Sequence, residues 1–266
     1  YIDDEIIGKN FIVYIYIYYM SISLGSGRFG NQFIRHVATS IFAEKFNLHI
    51  NYERTNGIDE LGIQLFHGDI KYDKSSGLSS GNYMDLYNQE NIDFNVQSHD
   101  YLQSQRITTL INEYLNSNVI MNIVMEKNKF KHRYQNNNDC FIHIRLGDMA
   151  HMNPGFDYYD HILSKLQFHQ LYVATNDGGH PIITALKNKY PDLQMYSGNE
   201  YDTILFGSTC KNVILSYGTF SSVIGYLSYY STVYHVPYCK KYAWDFGVNF
   251  DTQSGKTTKI GSWICE

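Results

Sequence analysis

Cysteine is scarce in this chain and scattered. The four residues, Cys140, Cys210, Cys239 and Cys265, form no C-x-x-C pair. That spacing excludes a zinc ribbon or a disulfide framework and leaves them as reduced thiols. No continuous Lys/Arg run occurs, and the formal net charge is -5. A nucleic-acid binder would usually carry a basic excess, so any phosphate site here is a local pocket and not a basic face. There is no D-x-D, and the 11 histidines are dispersed, so no metal cluster is apparent. No Asn-x-Ser/Thr sequon is present, which leans against passage through a secretory pathway.

Long apolar runs are also lacking. The nearest is Phe11 to Met20, FIVYIYIYYM, too short to span a bilayer alone and loaded with tyrosine. A long buried strand entering the loop at Gly25 is the favoured reading of Phe11–Ile22, with a cytoplasmic location. The competing reading makes it part of an anchor, which would place the protein at a Golgi or other membrane; membrane association is not required. Met20 is a second candidate start, with the residues before it added. The sequence leaves these open.

What is present is a sizeable apolar fraction, 44% of 266 residues, with 18% charged. That is enough for one large α/β domain or two modest ones. The stretch Cys140–Asp148, CFIHIRLGD, organises the rest. Cys140–Ile144 reads as a buried strand, punctuated by Asn136–Asp139 in front and Gly147 behind. Strand alternation puts His143 and Arg145 on one face and Ile142 and Ile144 on the other. An arginine at the carboxyl end of a parallel strand stands where open α/β sheets bind ligands, and its planar fork of donors suits phosphate oxygens. An Arg145–Asp148 salt bridge pinning a surface loop is an equal alternative from this stretch alone.

Before it, Gly25, Gly27 and Gly30 lead into a helix with Ile34, Val37, Ala38, Ile41, Phe42 and Phe46 at helical spacing. Asn31 is its N-cap or first-turn residue. Gly25-x-Gly27-x-x-Gly30 fits the dinucleotide pattern, but LHINYE offers only Glu53 as the acidic partner, and a packing turn fits equally well. From Asn51 to Asp100 glycines interrupt the pattern, giving loops with short elements and a flexible tip flanked by Ser75-Ser76 and Ser79-Ser80. Tyr101–Ser104 leads into a helix through Leu115, and a second helical run covers Val119–Lys131. The polar stretch Gln135–Asp139 marks a linker between domains 1–138 and 139–266.

After Asp139, strands and helices alternate: strands at 140–145, Leu171–Thr175, Leu193–Ser197, Asn212–Ser216 and Thr232–Val236, the last closing the series. Such alternation means a parallel sheet with right-handed crossovers. Its carboxyl edge gathers His143-Ile144-Arg145, Thr175-Asn176-Asp177 and Ser216–Ser221. A cation, a carboxylate and a hydroxyl-rich helix start at one rim suit a nucleotide sugar.

Four blocks in order resemble the inverting α1,2-fucosyltransferase family that uses GDP-fucose. Gly27-Arg28-Phe29-Gly30-Asn31-Gln32 resembles its G-x-L-G-N-Q block, and Tyr101-Leu102-Gln103-Ser104 its Y-F-Q-S block. His143–Asp148 resembles H-x-R-x-G-D, and Ser216–Leu227 resembles S-N-S-T-F-S-W-W-G-A-W-L. Tyr217-Gly218 and Ser222-Val223 depart from that last block. The resemblance implies a GT-B-like α/β fold: two Rossmann-like domains with parallel sheets and a cleft between them, the first half presenting a glycan acceptor and the second binding the donor. It implies transfer of L-fucose from GDP-β-L-fucose to a galactose-type hydroxyl, with inversion and without a cofactor or metal.

Under it, Arg145 neutralises the leaving diphosphate and His143 lines the nucleotide or orients the phosphate. Asp148 holds Arg145 or its loop, with a purely structural role favoured. Thr219 and Ser221, with the N–H groups of the helix they open, hold the diphosphate. Phe220 is core or pocket wall in equal measure. Asn176 or Asp177 takes the guanine edge or ribose, against a plain Asx turn. Gly27, Arg28, Gly30, Asn31, Gln32, Gln103 and Ser104 lie on the acceptor side. Arg145, at a strand's rim, is expected to be exposed. No catalytic base stands out. A transferase of the same clan with another donor or acceptor (protein O-fucosylation included) and a silent carbohydrate- or nucleotide-binding module are the competing classes; a dehydrogenase ranks last.

Overall fold

A computed structural model describes residues 21–23, 27–53, 56–98, 100–236 and 263–265. The chain builds two parallel sheets, each from strands that return through a helix. The first begins with β1 (Ser21–Ser23), α1 (Phe29–Phe46) and β2 (Ile50–Tyr52). The regular apolar spacing of α1 is repaid by burial: Phe33, Ile34, Val37, Ala38 and Phe42 have no exposed surface. Arg28 occupies its N-cap position without a side-chain cap, and Asn31 falls in the first turn. Asn47 ends it in the left-handed region at φ 51°, a conformation asparagine tolerates.

Next come α2 (Asn56–Glu60), β3 (Ser75–Leu78), α3 (Tyr83–Tyr87) and β4 (Asn95–Ser98), giving a sheet of order β2-β1-β4-β3, all parallel. The serine-rich segment expected as a flexible tip is therefore an edge strand. Ser75–Leu78 pairs along its whole length with Asn95–Ser98. Ser75 and Gly77 are exposed, Ser76 is half-buried and Leu78 alone is buried, so the strand has too little apolar content to announce itself. Of the apolar run Phe11–Ile22, only its end at Ser21–Ser23 is described, as strand; the remainder lies outside the described residues.

Helices α4 (Gln105–Leu115) and α5 (Asn118–Lys127) follow, then a 3-10 turn at Lys131–Arg133. The stretch expected as a linker is tied down. Arg133 Nη2 binds Asp139 Oδ2 at 2.7 Å and its Nε donates to Thr209 Oγ1 at 3.1 Å. Asn137 Nδ2 donates to Thr209 O at 2.9 Å. One apolar cluster runs through both sheets, from Phe33 and Val96 to Val213 and Val223.

The second sheet is built by β5 (Cys140–Ile144), α6 (Phe156–Leu163), β6 (Leu171–Thr175), α7 (Pro181–Lys189), β7 (Gln194–Met195), α8 (Glu200–Gly207), β8 (Asn212–Leu215), α9 (Thr219–Tyr226) and β9 (Thr232–His235). Pro181 opens α7, where its missing N–H is no loss. Thr232–His235 does not close the sheet, because β10 (Trp263–Cys265) adds outside it in parallel. The order is β10-β9-β8-β5-β6-β7. In β5, Ile142 and Ile144 pack with Tyr159, Ile162, Ile183 and Leu186, while Phe141 faces the cluster containing Phe206 and Val213. The alternation expected from the sequence thus divides the two faces. No helix among the described residues is long and apolar enough to cross a membrane.

Candidate active site

In the second sheet the chain runs outward from β5 to β7 and then crosses back to β8 on the other side of β5. The order reverses between β5 and β8, and open parallel sheets hold ligands in the crevice outside the strand ends at such a point. Arg145 leaves β5 there, and Ser216–Thr219 leaves β8.

A chain of hydroxyls joins the two strand ends. The Arg145 N–H donates to Ser216 Oγ at 2.9 Å, Ser216 Oγ lies 3.2 Å from Ser221 Oγ, and Ser221 Oγ lies 2.5 Å from His143 Nδ1. His143 is buried beside the ring of Phe220, with centroids 4.9 Å apart. Burial, aided by the nearby Arg145 charge, pushes its pKa down to about 3. The ring is therefore neutral at ordinary pH.

The Arg145 side chain is not exposed as its rim position suggests; it retains 18% of its surface. Its Nη2 reaches the Asp148 carboxylate at 3.2 and 3.3 Å, while its Nε is buried with no hydrogen-bond partner. Asp148 Oδ1 also accepts from Arg28 Nη1 at 3.3 Å, so two guanidinium groups from distant parts of the chain share one carboxylate. Desolvation works to raise the Asp148 pKa, but Arg145 and Arg28 outweigh it and hold the group below the usual carboxylate range.

Asn176 holds the loop that follows Arg145. Its Oδ1 accepts from Leu146 N at 2.7 Å and its Nδ2 donates to Leu146 O at 3.1 Å. Gly147 has φ +61°, and a Cβ there would stand 2.8 Å from Asn176 Nδ2, so this tight turn requires glycine. The Asn176 amide is thereby occupied by backbone, although the residue still borders the cavity. Asp177 makes an Asx turn, accepting from Gly179 N at 3.1 Å.

The first half enters through the start of α1. Asn31 Oδ1 accepts from Thr219 Oγ1 at 2.8 Å and from Gln103 Nε2 at 3.0 Å. Gln32 Nε2 donates to Gly27 O at 2.7 Å and closes the turn before the helix. Ser104 sits at the α4 N-cap without a side-chain cap bond. A Cβ on Gly30 would lie 2.5 Å from Phe220 N, so the amino ends of α1 and α9 abut. Three sequence blocks meet at Asn31, and the fourth joins them through the Arg28–Asp148 contact. Gly25 lies outside the described residues.

Around this junction opens a cavity of about 510 Å³, a size that suits a small-molecule ligand. Arg28, Arg145 and the helix starts at Gly30 and Thr219 make one end cationic. Phe220 is partly buried and lines the cavity; Ser221 lies behind it, against His143. The sequence reading did not foresee the far wall of Tyr196, Ser197, Glu200 and Thr203. The available signal was position: these residues follow β7, another parallel strand whose carboxyl end points to the same edge. Among the described residues no group of three or more His, Cys, Asp or Glu is placed to hold a metal.

Rossmann-like parallel sheets with a cationic cavity at the reversal point define the architectural class. No family model matches the chain, and no curated protein matches it. Solved structures do. NodZ α-1,6-fucosyltransferase co-crystallised with GDP aligns over 80% of this chain and 94% of its own, at 10% identity and a TM-score of 0.51. Fucosyltransferase NodZ from Bradyrhizobium aligns over 80% and 95%, at 10% identity and a TM-score of 0.50. A mutant of Arabidopsis thaliana FUT1 in complex with GDP aligns over 82% and 70%, at 11% identity and a TM-score of 0.50. At these identities the likeness is one of fold: the chain has the GT-B-like α/β fold of these fucosyltransferases.

Proposed function

We propose that the chain is an inverting glycosyltransferase that moves L-fucose from GDP-β-L-fucose to a galactose-type hydroxyl of a glycan, forming an α1,2 linkage. The observation that carries this reading is the cationic end of the cavity. Arg28 and Arg145 converge there on a single carboxylate, beside the amino ends of α1 and α9. The four-block resemblance supports the donor and linkage. The GDP held by NodZ and by FUT1 in two structures of similar fold supports a guanosine diphosphate.

In this reading residues 139–266 bind the donor and residues 1–138 present the acceptor. An acceptor hydroxyl attacks the anomeric carbon from the face opposite the diphosphate, forming the new carbon–oxygen bond and releasing its proton to solvent water. The carbon–oxygen bond to the β-phosphate breaks, and the electron pair leaves with GDP. Negative charge therefore grows on the β-phosphate in the transition state. Preorganised donors aimed at that charge lower the barrier. Arg145 supplies a permanent cation with an unused Nε–H, and Arg28 supplies a second cation. The amino end of α9 adds its partial positive charge. His143, being neutral, orients ribose or phosphate and does not act as a cation.

Calorimetric titration with GDP, GDP-fucose and UDP in the presence of EDTA tests the donor. GDP is expected to bind without metal, and Arg145→Ala is expected to weaken that binding sharply while leaving it measurable at high GDP concentration. Binding of uridine nucleotides alone, or no nucleotide at all, overturns the reading. Transfer to galactosides, with the linkage assigned by NMR, tests the acceptor and the stereochemistry.

A further inference from the structure

Arg145 is held by its backbone as well as by its side-chain ion pair. On one side its N–H donates to Ser216 Oγ at 2.9 Å. On the other its carbonyl accepts from Asn153 Nδ2 at 3.1 Å. The same Asn153 amide donates to Tyr159 Oη at 3.0 Å. The Arg145 carbonyl is thus tied to the Tyr159 hydroxyl through one intermediary, and its N–H to the Ser216 hydroxyl.

The groups that hold the peptide are themselves fixed. Tyr159 lies on the inner face of α6, has no exposed surface, and packs in the cluster of Ile142, Ile144 and Ile183. Asn153 is fixed in turn, its Oδ1 accepting from Gly155 N at 3.0 Å ahead of that helix. Beyond Ile144 the strand ladder of β5 with β6 ends, so the peptide of Arg145 depends on side chains for its direction. A guanidinium on a long side chain acts on a defined phosphate only if its base is fixed.

We infer that Asn153 and Tyr159 are positioning residues that aim Arg145 at the diphosphate. This rests on the donor reading of Arg145 above. Neither residue lines the cavity. Their effect is therefore transmitted through the Arg145 peptide and falls on phosphate recognition alone.

The test uses two near-isosteric variants of the full chain. Tyr159→Phe removes one hydroxyl, and Asn153→Asp removes the amide donor while keeping the oxygen that accepts from Gly155. Each is expected to weaken GDP binding roughly tenfold, the scale at which a small misplacement of a reacting group is felt, and to leave guanosine binding unchanged. In an Arg145→Ala background neither variant should weaken GDP binding further. Hydrogen exchange should quicken at the Arg145 amide and not across β6 or β8. Unchanged exchange at Arg145, equal losses for guanosine and GDP, or an undiminished effect in the Arg145→Ala background would overturn the inference. If the wild-type chain binds no GDP while exchange at Arg145 still responds, the donor reading fails and the backbone clamp stands.

Discussion

Asn31 and Thr219 are 188 positions apart in the chain, yet the threonine hydroxyl donates to the asparagine side-chain oxygen at 2.8 Å. The same oxygen accepts from Gln103 at 3.0 Å, so one amide joins α1, the segment before α4 and the start of α9. Removing it leaves two donors without a partner in a partly buried site. Asn31→Ala is expected to destabilise the fold by about 1–3 kcal/mol. Thr219→Val in the same chain should cost less than the sum of the single changes, with a coupling of about 0.5–3 kcal/mol. Urea denaturation of the four proteins measures the cycle. Strict additivity would mean that the two side chains do not hold the halves together.

Gly30 lies where the two helix starts touch. A Cβ there would stand 2.5 Å from Phe220 N and 2.7 Å from the Thr219 carbonyl carbon. Both are backbone atoms and cannot swing aside. Gly30→Ala is expected to destabilise by about 1–3 kcal/mol through overpacking, and to lower nucleotide affinity by spreading the cavity walls. A variant of wild-type stability and affinity would show that α1 and α9 part without consequence.

Asp148 offsets part of the charge of the two guanidinium groups that face the cavity. Its carboxylate stands 3.2 Å from Arg145 and 3.3 Å from Arg28, held ionised by both. An incoming anion competes with it. Asp148→Asn is expected to raise the affinity for pyrophosphate several-fold, and the gain should shrink as salt is added because the site is open to solvent. Titration of both proteins with pyrophosphate at low and high salt reads this out. A fall in affinity would mean instead that the carboxylate is needed to orient Arg145.

The second sheet was legible because β5, β6, β8 and β9 are apolar and each is set off by polar or glycine-containing turns. Arg145, His143 and Thr219 were legible for the same reason: the carboxyl ends of parallel strands gather at one edge. Other parts carried no such signal. Ser75–Leu78 is an edge strand with little apolar content, and it reads as a loop. Leu193–Ser197 reads as one strand, but its ladder covers only Gln194–Met195, so Tyr196 and Ser197, expected inside the strand, line the cavity instead. Asn176 was legible as polar and near the ligand edge, but its pairing with the Leu146 backbone depends on the turn at Gly147. The meeting of Asn31 with Thr219 is a long-range contact, which no local pattern encodes.

His143 makes the acid stability of the fold sensitive to pH in a defined direction. In the unfolded chain its pKa is 6.5; in the folded chain burial, with Arg145 nearby, lowers it to about 3. Between these values the unfolded state binds a proton that the folded state refuses. Stability therefore falls as pH drops through this window, with a limiting slope of about 1.4 kcal/mol per pH unit for one such group. Well above pH 6.5 the group is neutral in both states and contributes no slope. His36, buried and pushed down to about 4, acts in the same direction. Carboxylates held low by ion pairs, Asp148 and Asp160 among them, also lose stability in acid. The histidine's share is isolated by difference. Urea midpoints of the wild type and of His143→Gln, taken from pH 4 to 7.5, should diverge in the acid range, the wild type losing stability more steeply below about pH 6. Parallel curves would mean that His143 takes up its proton in the folded state, and that a cationic imidazole must then be admitted beside Arg145.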